Sequence, residues 1–393
     1  MPQKLSRRKR IIFSALAMLL GLAVVEAALR IARMAVDPVT QGLPLQKDEI
    51  LHHVWMPNAN VAQAGNGITY VVKTNAQGWA ADHDVRKAKP AGTYRIFYVG
   101  DSNTHGIVPL EQRMVEIVSK ILRKIGKESR IDFEVINTGV SSFSILNYYL
   151  LVKTRLIEYS PDLIIINIDM NDVGCDALYR LQTKYDANGR PTAIMPAGPD
   201  TGTRYLFTPT GVVDRGEEHP IYMWFVRHCA IAYFIDPYIL KLRLSNERTT
   251  ALGVVIKIDD DQTWISRNWN DNVEKNVAYS MTILGYCLDE LRERGIKVVI
   301  TGVPHLPQYT GEWSALPHLV LQRTAESHGA LYIDTFGRIA ERCPRNQLAE
   351  LYFKSDTTHF NQRGNALWAE IQLDFLLDPA NRLMPESVYK APR

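Results

Sequence analysis

The run Tyr-Arg-Ile-Phe-Tyr-Val-Gly-Asp-Ser-Asn-Thr, Tyr94 to Thr104, decides how the rest of the chain is read. Tyr94 to Val99 is a short apolar strand, and Gly100-Asp101-Ser102-Asn103-Thr104 turns it toward a helix. Working outward, strand and helix alternate. Leu110 to Lys124 has helical periodicity, Phe133 to Ile136 is a strand, and Ser144 to Glu158 is a helix. Leu163 to Ile166 is a continuous apolar strand suited to burial on both faces. Val273 to Arg294 is a long helix, followed by strand Lys297 to Val303, helix Leu316 to His328, strand Leu331 to Asp334 and helix Gln362 to Leu377. Five strand-helix repeats predict an α/β fold, with helices on both faces of a parallel sheet. Periodicity leaves the strand order open.

The remaining stretches complete a division of the chain. Residues 1–36 hold a basic tip and an apolar segment. Residues 37–92 read as a linker and N-terminal extension: Asp37 to Pro57 carries Pro38, Pro44 and Pro57, and Ile68 to Lys73 is a strand or hairpin arm. Residues 93–393 are the main domain. Gly174 to Asn272 interrupts its alternation as an insert or cap. Within it, Tyr222-Met223-Trp224-Phe225 is a candidate lining for an acyl pocket, or one face of a packed helix.

At the start of the chain, Lys4, Arg7, Arg8, Lys9 and Arg10 precede an apolar run from Ile11 to Val25 that continues past Glu26 to Ile31. An uncleaved helix from Ile11 to Ile31 matches the ~20 residues a bilayer needs. The positive-inside rule then leaves the basic tip in the cytoplasm and the main domain outside, periplasmic or extracellular. The alternative is a signal peptide cut after Ala27 and a secreted product. Those five residues supply much of the positive balance, +3 overall from 45 basic and 42 acidic residues. No basic domain remains, which argues against nucleic acid as a partner. Cys175, Cys229, Cys287 and Cys343 are scattered without metal spacing, and no His/Asp/Glu cluster or phosphate loop appears.

Four short motifs sit where such sheets build their sites, at the carboxyl ends of strands. Ser102 lies in the turn after the first strand, at the positive end of a helix. Asn137-Thr138-Gly139 follows the second strand, where a glycine brings a backbone N–H close to a substrate oxygen. Asp169-Met170-Asn171-Asp172 follows the third, offering a side-chain amide to an oxyanion. Asp356-Thr357-Thr358-His359 precedes the last helix, where a carboxylate three residues before a histidine can turn back and fix its tautomer. Taken singly, each also reads as a helix cap or turn.

Together, in the order Ser, Gly, Asn, Asp/His, these motifs resemble the SGNH hydrolase superfamily, also called the GDSL family. The resemblance runs from Tyr94 to Leu377 without the insert, and Phe360-Asn361-Gln362-Arg363-Gly364 is similar to the family's last block. It implies a three-layer α/β/α sandwich with a flavodoxin-like sheet of about five parallel strands. It implies Ser102 as nucleophile, His359 as general base and Asp356 as the group that orients it. The N–H groups of Ser102 and Gly139 and the amide of Asn171 would form the oxyanion hole, with no cofactor. The implied activity is ester hydrolysis, and the outward location points to O-acyl groups, acetyl or short-chain, on an envelope carbohydrate or lipid. Alternatives are acyl transfer to a sugar or lipid hydroxyl, a lipase with Ile221 to Leu244 as its lid, and a glycan-binding protein without catalysis. One departure stands out: Asp169 occupies the place of the family's glycine, so a carboxylate beside a developing negative charge must pair or point away. His105 and His305, near the same edge, are candidate substrate contacts.

Overall fold

The computed structural model describes residues 6–36, 43–195, 205–208, 211–214, 221, 224, 229–232, 235 and 264–390. The chain forms two compact units, Met1–Gly42 with Gly198–Val255, and Leu43–Ala197 with Ile256–Arg393.

The larger unit is built on five parallel strands: β1 (Thr93–Val99), β2 (Asp132–Asn137), β3 (Leu163–Asp169), β4 (Lys297–Val303) and β5 (Leu331–Ile333). Their spatial order is β5-β4-β3-β1-β2, the flavodoxin-like doubly wound arrangement. β3 lies at the centre and is buried along its whole length, which is why Leu163 to Ile166 runs apolar without alternation. Its register pairs Ile166 with Val99 on one side and Asp169 with Val303 on the other. The chain leaves β1 toward β2 on one side and reaches β4 from β3 on the other. The β1/β3 boundary is therefore the topological switch point, beyond whose strand ends open α/β sheets bind their ligands.

Helices cover both faces, making three layers. Met114–Ser129 packs with Gln362–Leu376, and Ile145–Thr154 packs with Asp271–Glu293. On the first face Ile96, Tyr98 and Ile165 meet Val118, Leu122, Trp368 and Ile371, all buried. Fully burying one such aliphatic side chain contributes roughly 1.5–3 kcal/mol. Asn361 caps the last helix by accepting the N–H groups of Arg363 and Gly364 at 2.9 and 3.1 Å, the usual satisfaction of orphan donors at a helix start.

Residues 43–92, expected to be a linker and extension, are folded into this unit. Leu45–Asp48 pairs with His52–Trp55, and Asn60–Gly65 pairs with Ile68–Lys73. Leu51, Trp55 and Val72 are buried, so the prolines of this stretch punctuate hairpins. The interruption expected from Gly174 also begins later. Asp172–Tyr179 is a helix, and Thr183–Tyr185 pairs with Pro191–Ile194 in the same unit. Residues 222, 223 and 225, the core of the expected acyl-pocket lining, lie outside the described residues.

In the smaller unit, Arg7–Val36 is one helix. Its Arg7–Arg30 portion, in which an 18-residue window reaches a mean hydropathy of 2.3, is the one helix among the described residues long and apolar enough to cross a membrane. Glu26 interrupts its apolar run. Its carboxylate accepts Arg30 Nε–H at 2.7 Å and the N–H groups of Ala230 and Ile231 at 2.8 and 2.9 Å. This unit also holds a hairpin, Tyr205–Thr208 with Gly211–Asp214.

Candidate active site

Ser102 opens a four-residue helix, Ser102–His105, at the end of β1. Asp101 caps it by accepting Asn103 N–H at 2.8 Å. The turn is tight enough to demand glycine at two points. A Cβ on Gly100 would meet Thr104 Oγ1 at 2.0 Å, and one on Gly139 would meet His105 N at 2.5 Å and Asp101 O at 2.8 Å. The loop after β2 thus packs directly against the serine turn.

His359 arrives from far along the chain. Asp356–Phe360 is a strand paired with Tyr352–Phe353. Phe360 is buried beside Trp368, with ring centroids 5.6 Å apart, and its carbonyl accepts Asn365 Nδ2–H at 3.0 Å. The last helix therefore holds this hairpin over the sheet edge. His359 Nε2 lies 2.9 Å from Ser102 Oγ, and His359 Nδ1 lies 2.6 Å from Asp356 Oδ2. The other oxygen, Asp356 Oδ1, accepts Thr358 N–H, Thr358 Oγ1–H and His359 N–H at 3.0, 2.7 and 3.2 Å. The arrangement can move a proton from Ser102 to His359 with the imidazole held in one tautomer.

Electrostatics favour the imidazolium. Burial opposes it, but the hydrogen bond and charge of Asp356, with the charges of Asp101 and Asp169, push His359 up to about 9. Burial also opposes ionisation of Asp356, yet the bond and charge of His359 and the donors of Thr358 hold it well below the usual carboxylate range. Asp101 is pushed up to about 7 by burial and the charge of Asp169, against the pull of His359. Ser102 Oγ is also 3.2 Å from Asp101 Oδ2. When His359 is protonated, Nε2–H donates to Ser102 and the hydroxyl proton turns to Asp101. When it is neutral, the hydroxyl donates to Nε2.

A pH dependence follows. Only neutral His359 can take the serine proton, so at pH 7 a base of pKa about 9 is free in roughly one molecule in a hundred. For any reaction in which His359 takes the proton of Ser102, kcat/KM is expected to climb about tenfold per pH unit from 6 to 8 and to level off near 9. A flat profile over that range would contradict the role given to His359. The same shift enters stability with the opposite trend. A pKa raised above the unfolded value of about 6.5 contributes stability that is fully present below that value and lost as pH passes the folded one.

The three expected oxyanion donors differ. Ser102 N–H and the exposed Asn171 side-chain amide donate to no group among the described residues. Gly139 N–H is engaged, donating to Asn137 Oδ1 at 3.0 Å, while Asn137 Nδ2–H donates to Thr104 O at 2.9 Å. An oxyanion must share Gly139 with Asn137.

Asp169 is fully buried and its oxygens are committed. Oδ1 accepts Asn171 N–H at 3.0 Å, Oδ2 accepts Asn103 Nδ2–H at 2.5 Å, and His305 Nε2 lies 3.1 and 3.2 Å from the two oxygens. Burial raises its pKa, but the charge and hydrogen bond of His305 and the Asn171 N–H outweigh that and leave Asp169 below its ordinary value. The carboxylate in the glycine's place is thus paired.

Neither extra histidine meets solvent. His305 is 2% exposed and turned to Asp169. His105 is 1% exposed and packed on Trp55 at 4.7 Å between ring centroids. Burial and the charge of Arg113 hold it well below its ordinary pKa. Both were expected near substrate; in the fold His105 ends the short helix after β1 and His305 follows β4, and both rings turn inward.

Sequence reasoning missed Asn66, Asn103 and Trp55, whose Nε1–H donates to Gly139 O at 2.8 Å. Of the three, only Asn66 carries a local signal, the Asn66-Gly67 pair of a hairpin turn.

The sheet order gives the chain a three-layer α/β/α architecture, and its strand ends bring Ser102, Gly139 and the Asp356–His359 pair together. No family model matches the chain, and no curated protein matches it. Among solved structures it is similar to an acetylxylan esterase from Geobacillus stearothermophilus, with 13% identity and a TM-score of 0.40 over 74% of this chain and 95% of that one. It is similar also to an alpha/beta hydrolase from the metagenome of Lake Arreo, Spain, at 15% identity and a TM-score of 0.38, covering 72% and 94%. A GDSL-like lipase from Parabacteroides merdae matches at 10% identity and a TM-score of 0.39, covering 74% and 96%.

Proposed function

We propose that this protein is a serine ester hydrolase, removing acetyl or other short acyl groups from an envelope carbohydrate or lipid. The observation that carries the reading is the unbroken hydrogen-bonded chain from Ser102 Oγ through His359 to Asp356 Oδ2. In the mechanism it supports, His359 takes the hydroxyl proton as Ser102 Oγ attacks the ester carbonyl. Ser102 N–H, the Asn171 amide and Gly139 N–H receive the oxyanion. His359 then gives its proton to the leaving alcohol, and an acyl-serine remains. Water, deprotonated by His359, attacks that ester; the acid leaves and Ser102 regains its proton. The Arg7–Arg30 helix supports an anchored enzyme with its basic end cytoplasmic and its site outside.

The test pairs a panel of p-nitrophenyl and acetylated-sugar esters with a serine-reactive fluorophosphonate. Labelling at Ser102 that disappears in His359→Ala is expected. A protein that neither labels nor turns over any ester would be a binding protein instead. Acetylated acceptor sugar in place of free acetate would identify a transferase. Asn171→Ala is expected to lower kcat by about 10²–10³ with KM little changed, the effect of losing one oxyanion donor; steady-state kinetics on the preferred ester checks it.

A further inference from the structure

The N-terminal hairpin reaches the catalytic acid. Asn60–Gly65 and Ile68–Lys73 pair with Gly65 opposite Ile68, leaving Asn66-Gly67 as a two-residue turn. Both residues have positive φ, 54° and 78°, as a type I′ turn requires. From this turn Asn66 Nδ2–H donates to Asp356 Oδ2 at 3.0 Å, and Asn66 Oδ1 accepts Ser355 Oγ–H at 3.3 Å. Oδ2 is the same oxygen that faces His359 Nδ1. Every other partner of the Asp356 carboxylate among the described residues is Thr358 or His359. Those residues share its strand and would move with it.

The hairpin itself is tied down elsewhere. Val72 is fully buried, Thr74 Oγ1–H donates to Met56 O at 2.7 Å, and Arg113 donates to Val71 O at 2.6 Å. Asn66 is thus the link between the acid's oxygen and a fixed part of the unit.

Resting on the reading of Ser102, His359 and Asp356 given above, we infer that Asn66 is a positioning residue of the active site. It holds Asp356 Oδ2 where His359 needs it. The segment before the sheet therefore takes part in catalysis. A donor to a carboxylate makes a charge-assisted bond, and small displacements of reacting groups weigh heavily on rate.

Two variants of the full chain test this. Glycine and aspartate both tolerate the positive φ of this turn, so a residue needed only for the turn would let both work. Asn66→Gly removes the donor. It is expected to lower kcat about tenfold, with KM within about twofold and the melting temperature nearly unchanged. Asn66→Asp also sets a second carboxylate against Asp356. It is expected to lower kcat further and to move the His359 midpoint, read from imidazole NMR signals and from the pH–rate profile, to higher pH. Wild-type kcat and midpoint in both variants would overturn the assignment. If Asn66→Asp melts early, Asn66→Gly alone decides, because it keeps the turn. The NMR titration is repeated in a Ser102→Ala background, where it needs no turnover. A wild-type chain without hydrolysis or labelling would therefore sink the ester-hydrolase reading, while Asn66 would still be judged by the titration.

Discussion

Replacing Ser102 with alanine is expected to lower kcat by about 10⁴ or more while changing stability by less than about 1 kcal/mol. The two effects separate because of where the hydroxyl sits. Ser102 is half-buried, and the cap of its short helix is the Asp101 side chain, not its own. Alanine suits the helical backbone there, and the substitution removes the hydroxyl's hydrogen bonds to His359 and Asp101. Without Oγ no acyl-enzyme can form. The Ser102 N–H and the Asn171 amide remain, so binding and a small residual rate persist. The full-length chain in detergent, assayed on p-nitrophenyl acetate and followed by thermal melting, gives both numbers. Retention of more than a tenth of the activity would remove Ser102 from the mechanism.

The second large effect is structural. His305→Ala is expected to cost about 3–5 kcal/mol, the usual penalty for removing one partner of a buried pair, and to lower the melting temperature by roughly 10 °C. Asp169 would keep Asn103 and the Asn171 N–H but lose its imidazole, in a site with no solvent exposure. It would then take up a proton, and His359, which Asp169 helps to raise, would titrate lower. The pH dependence of the intact pair has a definite sign. Asp169 is held below its ordinary value, so its contribution is present above about pH 4 and lost as acid brings the pH down through its folded pKa. Adding Asp169→Asn to His305→Ala removes the buried charge and is expected to recover much of the loss. Denaturant melts of both single variants and the double variant measure that coupling. A His305→Ala protein as stable as wild type would show that the pair is not needed to offset the burial of Asp169.

Strand and helix succession along 93–377 was legible because burial on two faces leaves an uninterrupted apolar run, as in Leu163 to Ile166, and burial on one leaves a helical period. The serine turn, the glycine after β2 and the Asp356–His359 spacing were legible because each is a local requirement: a tight turn, a close backbone approach, a three-residue reach. The hairpins of residues 45–73 were less so. Short strands broken by Pro44 and Pro57 show little periodicity, and what orders them is burial of Leu51, Trp55 and Val72 by residues distant in sequence.

The sequence by itself determined the class of fold, the apolar N-terminal helix and the places of Ser102, Gly139, Asn171, Asp356 and His359 beside strand ends and helix starts, because these depend on side-chain patterning and backbone chemistry over a few residues. Tertiary structure alone decided the strand order β5-β4-β3-β1-β2. It also decided the pairing of Asp169 with His305 across 136 residues and of Asn66 with Asp356 across 290. Such contacts arise only when separate segments are packed together. A buried carboxylate finds its partner from whichever segment the fold places beside it, and no local pattern records which one that will be.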